Sequence, residues 1–282
     1  MTQKKYRTAF MLSILILILM TIASIGGLFI DGLYRDNLWT SSQLRGSDLV
    51  RLVAAVPLLA GALVFTRRGS KRALLMWLGL LWMTVYDYAF FVFGAAFNEF
   101  FLIYVALFTL SMLALLFALP RVDAQEIKRE FKDSTPVKWI SAYMLFIAVF
   151  LGGMWIAQSL SFVASGVVPQ SIQDSGHPTG VVYALDLSLL VPGMVLGAIW
   201  LWQRRPWGYV LGAMMVVKGT VYPLALVGMT IFSANAGVPD AWDMGVFWVA
   251  FAVVSLVASG YLFGNMESGD VREAGLRLKV EG

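Results

Sequence analysis

The sequence contains no cysteine and a single histidine, His177. Without cysteine, a disulfide framework, a thiolate nucleophile and a thiolate metal site are all excluded. One histidine alone also removes most imidazole-based catalysis and metal binding. The sequence has neither a glycine-rich phosphate loop nor a spaced set of metal ligands. We therefore expect no enzymatic activity, no metal and no cofactor.

Charged residues are also scarce, at 13% of the 282 residues, whereas 59% are hydrophobic. The mean hydropathy is +0.77, and several apolar runs reach about 20 residues, the length at which a helix crosses a bilayer. This composition predicts an all-α, polytopic membrane protein that is surrounded by the lipid bilayer. The first run, AFMLSILILILMTIASIGGLFI, is longer than the core of a signal peptide, so we expect it to remain as an anchor.

The apolar runs predict a bundle of eight transmembrane helices. Their expected ranges are 9–30, 48–65, 73–93, 99–119, 137–162, 182–203, 207–232 and 242–263. Seventeen of the 21 Lys and Arg residues then lie on the side that holds both chain ends, and Arg35, Arg45 and Arg51 lie on the other. By the positive-inside rule, both termini are expected in the cytoplasm and the protein in the cell membrane. This orientation accounts for the basic excess, so we expect no nucleic-acid partner.

The loop RVDAQEIKREFKDSTP divides the chain into two sets of four helices. The expected parts are a first half at 1–120, a cytoplasmic loop at 121–136, a second half at 137–264 and a cytoplasmic tail at 265–282. Val-Pro occurs at 56–57 and again at 191–192, and Thr-Val-Tyr occurs at 84–86 and again at 220–222. These recurrences predict a 4+4 internal repeat in parallel orientation. The alternative is chance recurrence, which an apolar composition favours.

Three ionisable residues, Asp87, Asp186 and Lys218, stand out because they lie farther from the ends of the predicted helices than the others. A charge near the bilayer centre costs at least ~2.5 kcal/mol, so such residues usually face the interior of the bundle. Counted from the helix ends, the two aspartates lie at similar depth and Lys218 lies one turn deeper. We expect Tyr222 to hydrogen-bond to Asp186. We expect Lys218 to pair with Asp87 across the third and seventh helices, with Asp186 left open as the partner. The alternatives are a neutral, hydrogen-bonded Lys218 and a Lys218 that stands in a wet cavity.

Further polar and aromatic residues are expected near this level or at the outer rim: Tyr86, Tyr88, Tyr183, Tyr222, Glu99, Asp48, Arg51, Asp240 and Asp243. Together they predict a polar cavity that opens outward. The residues expected to bind a ligand or an ion there are Asp87, Asp186, Lys218, Tyr222, Tyr86, Tyr183 and Glu99. The plainer interpretation is that the acids reach interfacial water and that the tyrosines are interfacial anchors. His177 is expected to be a solvated loop residue.

Two glycine patterns predict close helix packing. The sixth helix contains GMVLG at 193–197, and the seventh contains GYVLG at 208–212. Small residues four apart let two helices approach closely. We therefore expect the hairpin of these two helices to be a rigid part of the bundle. The alternative is that glycine is simply common in membrane helices.

Two stretches resemble a family of multi-helix membrane proteins of bacteria and archaea to which no activity is assigned. They are GAAFNEFFLIYVALFTLSMLALLFAL at 94–119 and YALDLSLLVPGMVLGAIWLWQRRPWGYVLGAMMVVKG at 183–219. From the start of the first stretch to the end of the second they span residues 94–219, about half of the chain. The resemblance implies that five residues belong to a family pattern: Asn98, Asp186, Arg204, Arg205 and Lys218. It implies no substrate and no chemistry.

Three functional classes are consistent with these features. The first is a transporter or binding protein for a small solute, an ion or protons, and this is the function we expect. The second is a membrane sensor or partner subunit that binds a lipid-like ligand. The third is an intramembrane enzyme, but the Gly-x-Gly-Asp motif of aspartyl proteases is missing. A retinal protein would place its lysine in the last helix, whereas Lys218 is in the penultimate one. A homo-oligomer is also consistent with the sequence.

Overall fold

A computed structural model of the protein describes residues 5–267. Over that range it contains eight helices that are long and apolar enough to cross a membrane. They are α1 (Arg7–Phe29), α2 (Leu38–Arg67), α3 (Lys71–Phe93), α4 (Phe101–Arg121), α5 (Val137–Ser165), α6 (Val181–Trp202), α7 (Pro206–Asn235) and α8 (Gly245–Gly264). Within these described residues there is no strand, only one isolated bridge between Phe131 and Met266. The protein is an all-α, multi-pass membrane protein.

The main difference from the predicted helices is the start of α2, which begins at Leu38 and not near 48. Asn37 caps the helix by accepting a hydrogen bond from the Thr40 N–H at 2.9 Å. The first 13 residues, LWTSSQLRGSDLV, are too polar to be recognised as part of a spanning helix. Because the helix starts earlier, Asp48 and Arg51 lie well inside it and are buried, whereas the sequence placed them at the outer rim.

The loop between α4 and α5 is partly helical. It contains a short helix, Ala124–Arg129, which Asp123 caps through a 3.0 Å hydrogen bond from the Glu126 N–H. Of the expected tail at 265–282, residues 268–282 lie outside the described part of the chain.

Helices α3 and α7 form the centre of the bundle. Their apolar windows are 78% and 67% buried, against at most 44% in each of the other six helices. The two helices pack against each other, α4 packs on α3, and α8 packs on α7. The first part of α2 packs against α7, and the first part of α6 packs against α3. Polar residues on α3 and α7 therefore lie in the interior.

Both α2 and α6 are interrupted by a π-helical turn. These turns span Arg51–Ala55 in α2 and Asp186–Leu190 in α6. Each is followed directly by Val-Pro, and proline cannot donate the backbone hydrogen bond that a regular helix requires. Single π turns are rare and occur frequently at functional sites. In both helices the first residue of the π turn is ionisable, and both residues are buried.

The bundle has two ends, which we name by their residues. The terminal face holds residues 5–6, 68–70, 122–136, 203–205 and 265–267. The distal face holds residues 30–37, 94–100, 166–180 and 236–244. On the terminal face, Lys71 pairs with Glu126 at 2.6 Å. On the distal face, the Asn37 side chain donates to the Asp174 carbonyl at 2.7 Å, so separate loops are tied together at each end.

The α6–α7 hairpin is as closely packed as its glycine patterns predict. A Cβ atom on Gly197 would lie 3.5 Å from the Gly212 nitrogen, and one on Gly193 would lie 2.9 Å from the Met215 sulfur. Ordinary packing or a small shift of the Met215 side chain would accommodate these two contacts. A Cβ atom on Gly208, in contrast, would lie 2.3 Å from the Leu201 nitrogen and would push the backbones of the two helices apart. At the turn of the hairpin, Arg204 donates to the carbonyl of Asp133 at 3.0 Å. The hairpin holds Asp186 and Lys218 on two closely packed helices.

Candidate functional site

Five ionisable side chains are buried in the membrane-spanning part of the bundle. They are Asp48 and Arg51 on α2, Asp87 on α3, Asp186 on α6 and Lys218 on α7, with exposed fractions of 1, 4, 8, 3 and 1%. We call these five residues the buried charge cluster. Charged groups are almost never this enclosed unless they are paired, so the partners of each one describe the site.

Arg51 connects two carboxylates. Its guanidinium pairs with Asp48 on its own helix, and its Nε lies 3.5 Å from Asp87 Oδ2 on α3. Its Nη2 donates to Ser47 Oγ at 2.7 Å. The guanidinium also lies 4.9 Å from the centre of the Phe91 ring, a cation–π contact that stabilises a desolvated cation. Arg51 therefore ties α2 to α3 in the interior of the bundle.

Asp48 is also held by Tyr34, which donates its hydroxyl hydrogen to the second carboxylate oxygen. Burial raises the pKa of Tyr34 well above its ordinary value, and the charge of Asp48 adds to the effect. The hydroxyl therefore keeps its proton and remains a donor. Gly27 makes room for this contact, because a Cβ atom there would overlap both Asp48 and the Tyr34 hydroxyl. Tyr34 lies in a loop, and its sequence context gave no sign of this role.

Asp186 accepts hydrogen bonds from two aromatic side chains. Tyr86 on α3 donates to Oδ1 at 2.6 Å, and Trp155 on α5 donates its indole N–H to Oδ2 at 2.8 Å. The expected partner Tyr222 is replaced by Tyr86, because the part of α6 that leads into the π turn, Val181–Leu185, packs against α3. The role of Trp155 was also missed, since a tryptophan in an apolar helix gives no polar signal.

The Lys218 ammonium lies between two tyrosine rings. Its Nζ is 3.4 Å from the ring centre of Tyr86 and 4.2 Å from that of Tyr222. It has no hydrogen-bond partner in the described part of the chain. The expected ion pair with Asp87 is not formed, because Asp87 pairs with Arg51. The faces of the aromatic rings carry partial negative charge and take the place of a counter-ion.

Tyr86 links Lys218 to Asp186. Its ring face contacts the ammonium, while its hydroxyl donates to the carboxylate. The Tyr86 and Tyr222 rings meet edge to face, with centres 5.9 Å apart. A change in the charge of either Lys218 or Asp186 therefore acts on the same tyrosine. Asp87 and Asp186 are the two acids that interact electrostatically with Lys218.

The remaining predicted site residues are distributed between this region and the distal face. Tyr183 stacks on Trp155 with ring centres 4.1 Å apart, and its hydroxyl is 2.5 Å from Ser171 Oγ. It thus lies one side chain away from Asp186. Glu99 is exposed at the distal face, where it pairs with Arg35. A hydrogen bond from the Glu99 backbone N–H and, to a smaller extent, the positive charge of Arg35 lower the pKa of the Glu99 carboxyl. Glu99 is therefore not part of the cluster.

A pocket of about 440 Å³ opens at the distal face, between the loops at 35–37, 93–96 and 175–178. The members of the buried charge cluster are not among its lining residues. This pocket is therefore not the polar cavity that was expected around Asp87, Asp186 and Lys218. His177 lines the pocket but is not a solvated residue: it packs edge to face on Phe90, and its side chain is 9% exposed.

Comparison of the chain with models of protein families, with curated proteins and with solved structures found no match. The resemblance of residues 94–119 and 183–219 to a family of multi-helix membrane proteins therefore stays a prediction. The buried charge cluster and the distal pocket are the features from which a function can be argued.

The partners of Arg51 lead to a testable difference between two arginines of α2. Arg51→Met removes the buried cation from beside the Asp48 carboxylate and from Asp87, and should lower the free energy of unfolding by about 3–5 kcal/mol. Adding Asp48→Asn should recover part of that loss, because the Arg51 guanidinium pairs directly with Asp48. Arg45→Met removes an arginine that pairs with Asp31 at the surface, at 3.2 Å, and should cost at most about 1 kcal/mol.

The measurement is thermal unfolding of the purified variants in detergent, or their unfolding rates at one temperature where unfolding is irreversible. Equal losses for Arg51→Met and Arg45→Met would show that Arg51 is not the central cation of the cluster.

Proposed function

We propose that the protein is a proton-linked transporter of a small solute and that the buried charge cluster is its proton-binding site. The observation that supports this most directly is the composition of the cluster, which has three carboxylates and two cations. If all five side chains are ionised, one negative charge is left uncompensated. An unpaired charge in a low-dielectric interior costs several kcal/mol, so the cluster should bind one proton or one monovalent cation.

A proton suits the cluster better than a metal ion. Over residues 5–267, no three His, Asp or Glu side chains come together in a way that could hold a metal. The carboxylates of Asp48 and Asp186 are each held by donors of their own. A metal ion would require these carboxylates to turn toward a common centre. A proton requires no such rearrangement.

Asp87 is the carboxylate that we assign to the proton. Asp48 and Asp186 each receive two donors. Among the residues that the structure describes, the Asp87 side chain has only the 3.5 Å ion pair with Arg51 as a polar contact. Asp87 is also the most exposed of the three, at 8%. It interacts electrostatically with both cations of the cluster, Arg51 and Lys218. Gain or loss of its proton would therefore change the forces on α2 and on α7 together.

The π turns in α2 and α6 are the points at which these forces would bend the two helices. Each helix has a π turn followed by proline, and such irregular turns are where helices bend. The turns carry Arg51 and Asp186, so the charges of the cluster and the bending points coincide. The equivalent positions of the turns, with α2 against α7 and α6 against α3, support the 4+4 parallel repeat as part of this proposal.

The orientation of the protein follows from its basic residues. Seventeen of the 21 Lys and Arg residues lie on the side of the terminal face or in the segments that lead to the two chain ends. The positive-inside rule then places the terminal face in the cytoplasm of a cell membrane and the distal pocket outside. Solute would enter from the distal side.

Single cysteines test this orientation cleanly, because the chain has none of its own. Cysteines at Val167 and Ala236, both exposed at the distal face, should react with a membrane-impermeant maleimide added to intact cells. Cysteines at Gln125 and Ser134, exposed at the terminal face, should react only after the membrane is opened. Labelling of Gln125 or Ser134 in intact cells would reverse the orientation.

Proton binding is tested by charge displacement in proteoliposomes on a solid-supported membrane. A pH jump should produce a transient current in the wild type that Asp87→Asn abolishes. Asp31→Asn, which removes an exposed acid of the distal face, should leave the current unchanged. A current that persists in Asp87→Asn would remove Asp87 from the mechanism. A current evoked by a sodium jump at constant pH, and not by a pH jump, would contradict proton linkage.

A further inference from the structure

The distal pocket contains two enclosed polar atoms that lack partners. Asp36 Oδ1 accepts a hydrogen bond from the Ala96 N–H at 3.0 Å, but Oδ2 of the same carboxylate has no hydrogen-bond partner in the described residues. Nε2 of His177 also has none and lies 3.8 Å from Asp36 Oδ1. The two side chains are 4% and 9% exposed, and both line the pocket.

The two unpartnered atoms, Asp36 Oδ2 and His177 Nε2, indicate which hydrogen-bonding groups a ligand has to supply. Buried polar groups in proteins are nearly always hydrogen-bonded, so an unpartnered pair beside a cavity is unusual. The cavity volume, about 440 Å³, lies in the range of roughly 300–1,000 Å³ that small-molecule sites have. Asp36 Oδ2 is an acceptor, and so is Nε2 of an unprotonated imidazole whose hydrogen is on Nδ1.

We infer that the distal pocket binds a small primary ammonium compound. An ammonium group has three N–H donors and can reach the carboxylate and the imidazole at once. An anion would add a further acceptor beside the two unpartnered acceptors, and the Arg35 guanidinium at the rim is already paired with Glu99. A quaternary ammonium has the charge but no N–H to donate. The exposed Phe93 ring and Pro178 offer an apolar wall for the rest of the molecule.

This inference deepens the proposed function, since the bound amine would be the solute that the protein carries. The binding step can nevertheless be measured without transport, at a pocket separate from the buried charge cluster. Asp87→Asn should therefore keep amine binding even though it loses the proton current. Amine binding with no proton current in the wild type would refute the proposed function and leave the pocket assignment standing. The reverse result would refute only the pocket assignment.

The test is isothermal titration of the full chain in detergent with 2-phenylethylammonium chloride. We expect saturable binding at neutral pH. Asp36→Asn, which keeps the shape of the side chain, should weaken binding at least about tenfold, because a carboxylate–ammonium bond is lost. The matched control Asp31→Asn should bind as the wild type does.

Two reference compounds complete the experiment. Benzyltrimethylammonium has the charge without N–H donors, and 3-phenylpropionate has the opposite charge, so both should bind much more weakly. Equal binding of either compound would overturn the assignment. Full binding in Asp36→Asn, or no saturable binding of 2-phenylethylammonium and of methylammonium by the wild type, would overturn it as well.

Discussion

The Arg51 guanidinium holds two carboxylates in the apolar interior of the bundle, Asp48 one turn away and Asp87 on the neighbouring helix. Three buried charges close together are tolerated only if each is compensated. The surrounding structure supplies that compensation: Tyr34 donates to Asp48, Ser47 accepts from Arg51, and aromatic ring faces cover the guanidinium. The positions of α2, α3 and the first distal loop follow from this arrangement. Arg51 can neutralise only one of these two carboxylates, and we assign the proton to the other, Asp87.

On the other side of α3, Lys218 and Asp186 share Tyr86. The ammonium rests on the ring face, and the carboxylate accepts from the hydroxyl, so opposite charges interact through one aromatic residue. Asp186 is the first residue of the π turn in α6, and Arg51 is the first residue of the π turn in α2. The central pair α3 and α7 thus lies between two interrupted helices, each with a charged residue at its interruption. A protein that converts a change of charge into movement of a helix requires a charged residue at a point where the helix bends, and α2 and α6 each have one.

The number of helices could be predicted from the sequence because apolar runs of spanning length are a strong signal. The start of α2 could not, since its first 13 residues are polar and only their burial shows that they belong to the helix. The ionisable residues could be recognised in the sequence because a charged residue stands out in an apolar helix, where its burial costs free energy. Their partners were not, because partner choice depends on how each helix is rotated, and the π turns shift that rotation. Hence Tyr86 and not Tyr222 meets Asp186, and Lys218 meets rings and not a carboxylate.

The central claim is that one buried carboxyl of the cluster, that of Asp87, carries a proton. Infrared spectroscopy of the protein in lipid measures this directly, because a protonated carboxyl has a C=O band distinct from that of a carboxylate. In sodium-free buffer near neutral pH, we predict one such band per chain, lost in Asp87→Asn and retained in Asp186→Asn. Absence of the band in the wild type, or its survival in Asp87→Asn, would contradict the account.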